Sequence, residues 1–208
     1  MLIDLRKELA KIPEFTDVGE IPNAQHFSQY CAEIPLDPVG KYRQADIRAN
    51  LATNWRTLFD IPHQFHDPIR MAKADFEKNF KPATHLDVHI SQGIVQPEDW
   101  FRVPTGIHID LSAQDYPFTQ TDYCLAEYIV SDSLCTKFYK QGFNLPDELV
   151  EGAPINESLS NIFRQQAKEE NVYKVAPYHM ARFGPLAVHD SQTSSVPTQR
   201  TMMLLRFF

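Results

Sequence analysis

Between residues 67 and 80 apolar side chains recur at helical spacing. Ile69, Ala72, Phe76 and Phe80 share one face, with Asp67 placed as N-cap and Pro68 in the first turn. After Pro82 the texture changes. "THLDVHISQGIVQ", "RVPTGIHID", "YCLAEYIV", "CTKFY", "VYKVAPYHMARF", "PLAVH" and "RTMMLLRFF" are rich in β-branched and aromatic residues and read as strands. "NESLSNIFRQQAKEE" interrupts them with a second helical pattern, capped by Asn156 and turning Leu159, Ile162, Phe163 and Ala167 inward. Strands that mostly follow one another without helices between them predict antiparallel sheets rather than a parallel βαβ array. Upstream, "MLIDLRKELAKIPEF" reads as a short amphipathic helix, and the proline-punctuated "EIPNAQ" and "EIPLDPVG" as loops and short elements over the core. The expected fold is α+β, mainly β, in a single domain. A jelly-roll or cupin-like core over 83–208 carries a helical insertion near 156–170, and a helical, loop-rich part over 1–82 packs on it.

Composition narrows the function without naming it. The formal net charge of -7 argues against a nucleic-acid groove binder, whose affinity is built mainly from Lys and Arg. No apolar run reaches the ~20 residues of a membrane span, and the first segment mixes acids and bases unlike a secretory signal. Cys31, Cys124 and Cys135 lack zinc-finger or CxxC spacing and are expected as reduced core thiols, which fits a cytoplasmic protein.

The chemistry gathers in "RVPTGIHIDLSAQD". In a strand, residues two apart point the same way, so His108 and Asp110 share a face. An imidazole and a carboxylate turned inward are costly unless paired or bound to a metal. Two histidines and one carboxylate form a known Fe(II) donor set that leaves positions open for substrate and oxygen. His189, closing the apolar "GPLAVH", is the candidate third donor. "THLDVH" holds a rival pair, His85 with Asp87. His108 is preferred because Gly106 permits close backbone approach and "LSAQDYPF" behind it is loop-like, as the mouth of a site requires. Arg200 opens the final, strongly apolar strand. A buried cation there needs an anion, either a core carboxylate such as Glu127 or a carboxylate ligand gripped by the guanidinium fork. Alternation sets Arg200, Met202, Leu204 and Arg206 on one face. His89 and His179 read as hydrogen-bonded interior or pocket-rim residues, and His26, His63 and His66 as surface residues.

The order His108-x-Asp110, His189, Arg200 over a β-rich stretch from Thr84 to Phe208 resembles the Fe(II)/2-oxoglutarate-dependent oxygenase family. The resemblance implies a double-stranded β-helix. It also implies Fe(II) held by His108, Asp110 and His189, 2-oxoglutarate as cosubstrate with its far carboxylate on Arg200, O2 as oxidant, and hydroxylation as the outcome. Many members carry Ser or Thr two residues beyond the Arg, where this chain has Met202, so Tyr123, Thr136 and Tyr139 stand as candidates for a second cosubstrate contact. Trp100 and Arg102, just before the HxD, are candidates for the substrate mouth. Arg43 and Arg48 with Tyr42, in "KYRQADIRANLATNW", read either as a lid recognising a substrate carboxylate or as a solvated helix face. The expected partner is a small polar molecule such as a free amino acid, with no nucleic acid and no membrane. A peptidyl hydroxylase, a metal-dependent cupin isomerase or binding protein without 2-oxoglutarate, and a metal-free interaction module are the alternatives.

Overall fold

The computed structural model describes residues 4–38, 40–50, 61–97, 106–110, 124–146, 155–190 and 192–208, the side chains of residues 50 and 155–158 excepted. Trp100, Arg102 and Tyr123 lie outside them. The chain runs α1 (Leu5–Leu9), β1 (Phe15–Glu20), α2 (Ala24–Phe27), β2 (Arg43–Asn50), α3 (His66–Asn79), β3 (His85–Val95), β4 (Ala126–Ser131), β5 (Lys137–Tyr139), α4 (Ile155–Gln166), β6 (Val172–Lys174), β7 (His179–Phe183), β8 (His189–Asp190) and β9 (Thr198–Phe207). A six-stranded sheet has the order β1-β7-β4-β9-β3-β2, and a three-stranded sheet the order β6-β5-β8. Every ladder is antiparallel.

Alternation sorts the large sheet into two faces. Leu86, Val88 and Ile90 of β3, Tyr128 and Val130 of β4, and Met203, Leu205 and Phe207 of β9 meet Ile69, Ala72 and Phe76 of α3 in one core cluster. The Phe76 and Phe207 rings stack with centroids 4.4 Å apart, and burying each such side chain is worth about 1.5–3 kcal/mol. The opposite face carries Ile129, Ala181, Phe183, Met202 and Leu204 toward Phe138 of the small sheet. Beyond the small sheet, α1 and α4 close a third cluster containing Leu5, Leu9, Tyr139, Leu159, Phe163 and Val188. No helix among the described residues is long and apolar enough to cross a membrane, and all three cysteines are buried and free.

Several sequence expectations change. The part before residue 83 does more than pack on the sheet, because β1 and β2 form both of its edges. Arg43 and Arg48 sit neither on a lid nor on a helix, since β2 pairs with β3 from Arg43↔Gln92 to Asn50↔His85. "VYKVAPYHMARF" divides between the two sheets as β6 and β7, with Tyr178 at φ 62 making the break. The helix after His63–Phe65 begins at His66, so Asp67 lies in its first turn rather than at the cap and accepts instead from Asn23 and Arg70. Phe80 follows that helix and is partly exposed. Asn156 falls inside α4, which starts at Ile155. Of "RVPTGIHID", the described part meets its neighbour at one bridge, His108↔His189, rather than along an extended strand.

Candidate metal centre

That bridge brings the donors together. His108 N–H donates to His189 O at 2.8 Å and His189 N–H to His108 O at 2.9 Å, the mutual pairing that puts two opposed side chains on the same face. The imidazole centroids are 4.3 Å apart. Asp110, two residues beyond His108, turns its carboxylate to within 3.5 Å of His189 Nε2. One donor atom from each of His108, Asp110 and His189 lies within 4.8 Å of the other two, and among the described residues this is the single cluster of three such groups.

Backbone carbonyls set the tautomers. His108 Nδ1 lies 2.5 Å from Gly106 O and His189 Nδ1 lies 2.9 Å from Ala187 O. A carbonyl only accepts, so each Nδ1 carries a proton, and in the neutral ring the lone pair is left at Nε2. Both imidazoles are thus held in the form a metal requires, by outer partners that sequence alone did not disclose. Phe138 and Phe183 pack on the His189 ring. Burial, with His189 close by, lowers the His108 pKa to about 4. Burial opposes the Asp110 charge, but His189, Arg206 and His108 outweigh it and hold the carboxyl below its ordinary range. Two imidazole nitrogens beside an ionised carboxylate fit a divalent cation with nitrogen and oxygen ligands.

Behind Asp110 stands a pair not singled out from the sequence. Arg206 Nη2 is 3.3 Å from Asp110 Oδ1, and Arg206 Nε donates to Glu127 Oε1 at 2.6 Å. Glu127 is 1% exposed, and its pKa is raised well above the ordinary value by burial and then by the Asp110 charge, with Arg206 opposing. The core carboxylate considered for Arg200 therefore belongs to Arg206. The register explains it, since Glu127 of β4 lies directly opposite Arg206 of β9.

Arg200 is 1% exposed, on the interior face with Met202 and Leu204. Its Nη2 is 3.5 Å from Ser131 Oγ, and burial lowers its pKa to about 10. A guanidinium kept in a dry interior suits an incoming carboxylate. Thr136 is buried where the chain enters β5. Tyr139 lies on the other face of β5 from Phe138, in the cluster with α4, and is not brought to the interior face that holds Arg200. Tyr42 is: its ring covers Gly93, the residue paired with Arg200, so closely that a Cβ there would fall 2.6 Å from Tyr42 Cδ1.

The rival pair His85 and Asp87 is occupied by Arg48, whose Nε is 3.0 Å from Asp87 Oδ1 and whose Nη2 is 2.6 Å from His85 Nε2. Arg43 donates to the carbonyls of Ala32 and Ile34. His89 is buried with Nδ1 at 2.5 Å from Asp46 Oδ1, and His179 is half-buried beside Asp17. His26 and His63 are exposed, whereas His66 is half-buried and bonded to Ile61 O.

The shifted groups make opposite contributions to stability in acid. Folded His108 stays neutral down to about pH 4, but unfolded it protonates near 6.5. Its contribution is complete above pH 6.5 and is lost as pH falls through that window. Glu127 holds its proton to higher pH when folded than when unfolded, where it gives it up near 4.5, so its contribution grows as pH falls toward 4.5. Between pH 6.5 and 4.5 the two therefore act in opposite directions. Metal-free Glu127→Gln should therefore lose stability more steeply with falling pH than the parent, by up to about 1.4 kcal/mol per pH unit. Urea midpoints at pH 7, 6 and 5 measure this difference.

Fold and cluster together define a mainly antiparallel two-sheet protein with a two-histidine, one-carboxylate donor set. No protein-family model and no curated protein matches the sequence. Solved structures do. IDO from Bacillus thuringiensis is similar at 11% identity and TM-score 0.51, covering 99% of this chain and 98% of that one. A Pseudomonas putida prolyl-4-hydroxylase is similar at 11% identity and TM-score 0.48, covering 100% and 98%. An oxidoreductase of the 2OG-Fe(II) oxygenase family from Burkholderia pseudomallei is similar at 15% identity and TM-score 0.43, covering 88% and 74%. At 11% identity the likeness to IDO speaks to the fold alone.

Proposed function

We propose that this chain is an Fe(II)- and 2-oxoglutarate-dependent oxygenase on a double-stranded β-helix core, and that it hydroxylates a small polar molecule. The observation that carries the reading is the convergence of His108, Asp110 and His189, with Arg200 buried on the interior face of the last strand. His108 and His189 offer Nε2 lone pairs, and Asp110 offers the charge that favours a divalent over a monovalent cation. Arg200 supplies the fixed positive partner for the far carboxylate of 2-oxoglutarate. Met202, Leu204, Phe138 and Phe183 line the interior and keep water from the reacting groups. Fe(II) and 2-oxoglutarate, when bound there with O2, would supply the oxidative chemistry.

Anaerobic addition of Fe(II) and 2-oxoglutarate should produce a weak visible metal-to-ligand band. Arg200→Ala should weaken the 2-oxoglutarate dependence of that band by about a hundredfold, as befits a lost bidentate charge pair, while Fe(II) uptake persists. A cupin isomerase has no need of Arg200. Unchanged 2-oxoglutarate affinity in the variant would therefore sink the oxygenase reading.

A further inference from the structure

A buried hydroxyl stands beside the Arg200 guanidinium. Ser131 closes β4, is 2% exposed, and lies directly opposite Met202 of β9. Alternation fixes the direction of its side chain. Tyr128 and Val130 pack in the α3 core, Ile129 packs with Met202 and Leu204, and Ser131 shares the face of Ile129. Arg200 shares the face of Met202, so Ser131 and Arg200 are diagonal neighbours across the β4–β9 ladder. Ser131 Oγ is 3.5 Å from Arg200 Nη2. Met202 carries no donor, so the polar group on its rung of the ladder is the Ser131 hydroxyl.

We infer that the Ser131 hydroxyl donates, alongside Arg200, to the far carboxylate of 2-oxoglutarate, and so selects a 2-oxo acid that carries that group over one that lacks it. This rests on the oxygenase reading and adds to it a residue that discriminates between cosubstrates. The balance of donors and acceptors carries it. Ser131 Oγ accepts the long contact from Arg200, and among the described residues no group takes the hydroxyl proton. A buried O–H left without an acceptor is costly. A guanidinium only donates, so it cannot take that proton. Asp132, next in the chain, does not take it either, because its Oδ1 accepts from the Thr201 N–H at 2.8 Å and the Ser133 hydroxyl at 3.1 Å. A carboxylate has lone pairs enough to accept from the hydroxyl and the guanidinium together. Ile129, Met202 and Leu204 make the surrounding face apolar, a setting that strengthens a hydrogen bond to a charged group. Tyr139, on the other side of β5, does not reach this face.

The probes are 2-oxoglutarate and 2-oxopentanoate, the same carbon chain ending in a methyl group, titrated anaerobically into Fe(II)-loaded protein. The visible band and calorimetry both report binding. Ser131→Ala should weaken 2-oxoglutarate about tenfold, the loss expected for one hydrogen bond to a charged group, and leave 2-oxopentanoate within about twofold of the parent. Ser131→Cys, close to serine in volume but a weak donor, should lose the same preference. Thermal unfolding checks that both variants are folded. Added to Arg200→Ala, the Ser131→Ala change should weaken 2-oxoglutarate further, because the hydroxyl meets the carboxylate itself. Parental 2-oxoglutarate affinity in Ser131→Ala, or an equal loss for both oxo acids, would overturn the inference and leave the oxygenase reading standing. So would no further loss in the double variant, which would make the hydroxyl a prop for the guanidinium. Absence of the band in the parent would instead strike the oxygenase reading, and the inference with it.

Discussion

Asp110→Ala is expected to fold yet bind Fe(II) about a hundredfold or more weakly than the parent, beyond what disturbing an outer partner of a metal ligand usually costs. The variant loses the one anionic donor among three, and two neutral imidazoles hold a divalent cation poorly. The fold should survive because the neighbouring network can adjust. Asp110 is one of the causes that keep the Glu127 proton in place. With it removed, Glu127 ionises more readily against Arg206, already bonded to it at 2.6 Å, and the buried charge stays balanced. Anaerobic Fe(II) titration and thermal unfolding of the same preparation separate the two effects. Asp87→Ala, in the rival HxD, should leave metal affinity unchanged. Parental Fe(II) affinity in Asp110→Ala would remove the carboxylate from the donor set.

The parts of this site that sequence disclosed are those where a polar residue interrupts an apolar strand. His108, Asp110, His189 and Arg200 stood out because each would be costly in a core without a partner, and alternation placed the first two on one face. The strands missed were those whose inward residues are weak signals. In β2 the residues packing on the core are Ala45, Ile47 and Ala49, and two alanines in three give almost no contrast with the charged residues between them. Arg48 therefore read as part of a lid or a helix surface when it stands on the edge strand of a sheet, opposite Asp87. Glu127 and Arg206 were visible as buried-strand charges, but only register pairs them. That register depends on β4 and β9 meeting across nearly seventy residues of chain, a distance local patterning does not span. The helix starts failed for a smaller reason, because Asp67 and Asn156 are good caps whose helices begin earlier.

Arg206→Met should cost the metal-free protein about 3–5 kcal/mol, the usual penalty for removing one partner of a buried pair and stranding the other. The penalty comes mainly from Asp110, whose negative charge is maintained by His189 first and then Arg206. Glu127→Gln at pH 7 should cost far less. Burial and the Asp110 charge raise the Glu127 pKa well above its ordinary value and so favour its protonated form, which the amide matches in charge and shape. If Glu127 were instead a simple counter-anion to Arg206, its loss would be as severe as that of its partner. The ratio of the two losses, from urea midpoints at one pH, decides between these pictures. The double change Arg206→Met, Glu127→Leu should recover part of the loss, since an apolar pair of similar volume avoids the desolvation of both groups. Fe(II) should restore more stability to Arg206→Met than it adds to the parent, because a bound cation compensates the same carboxylate that the arginine did. Equal stabilisation of the two proteins by Fe(II) would mean that Arg206 and the metal do not share Asp110, and the placement of the carboxylate between them would fall.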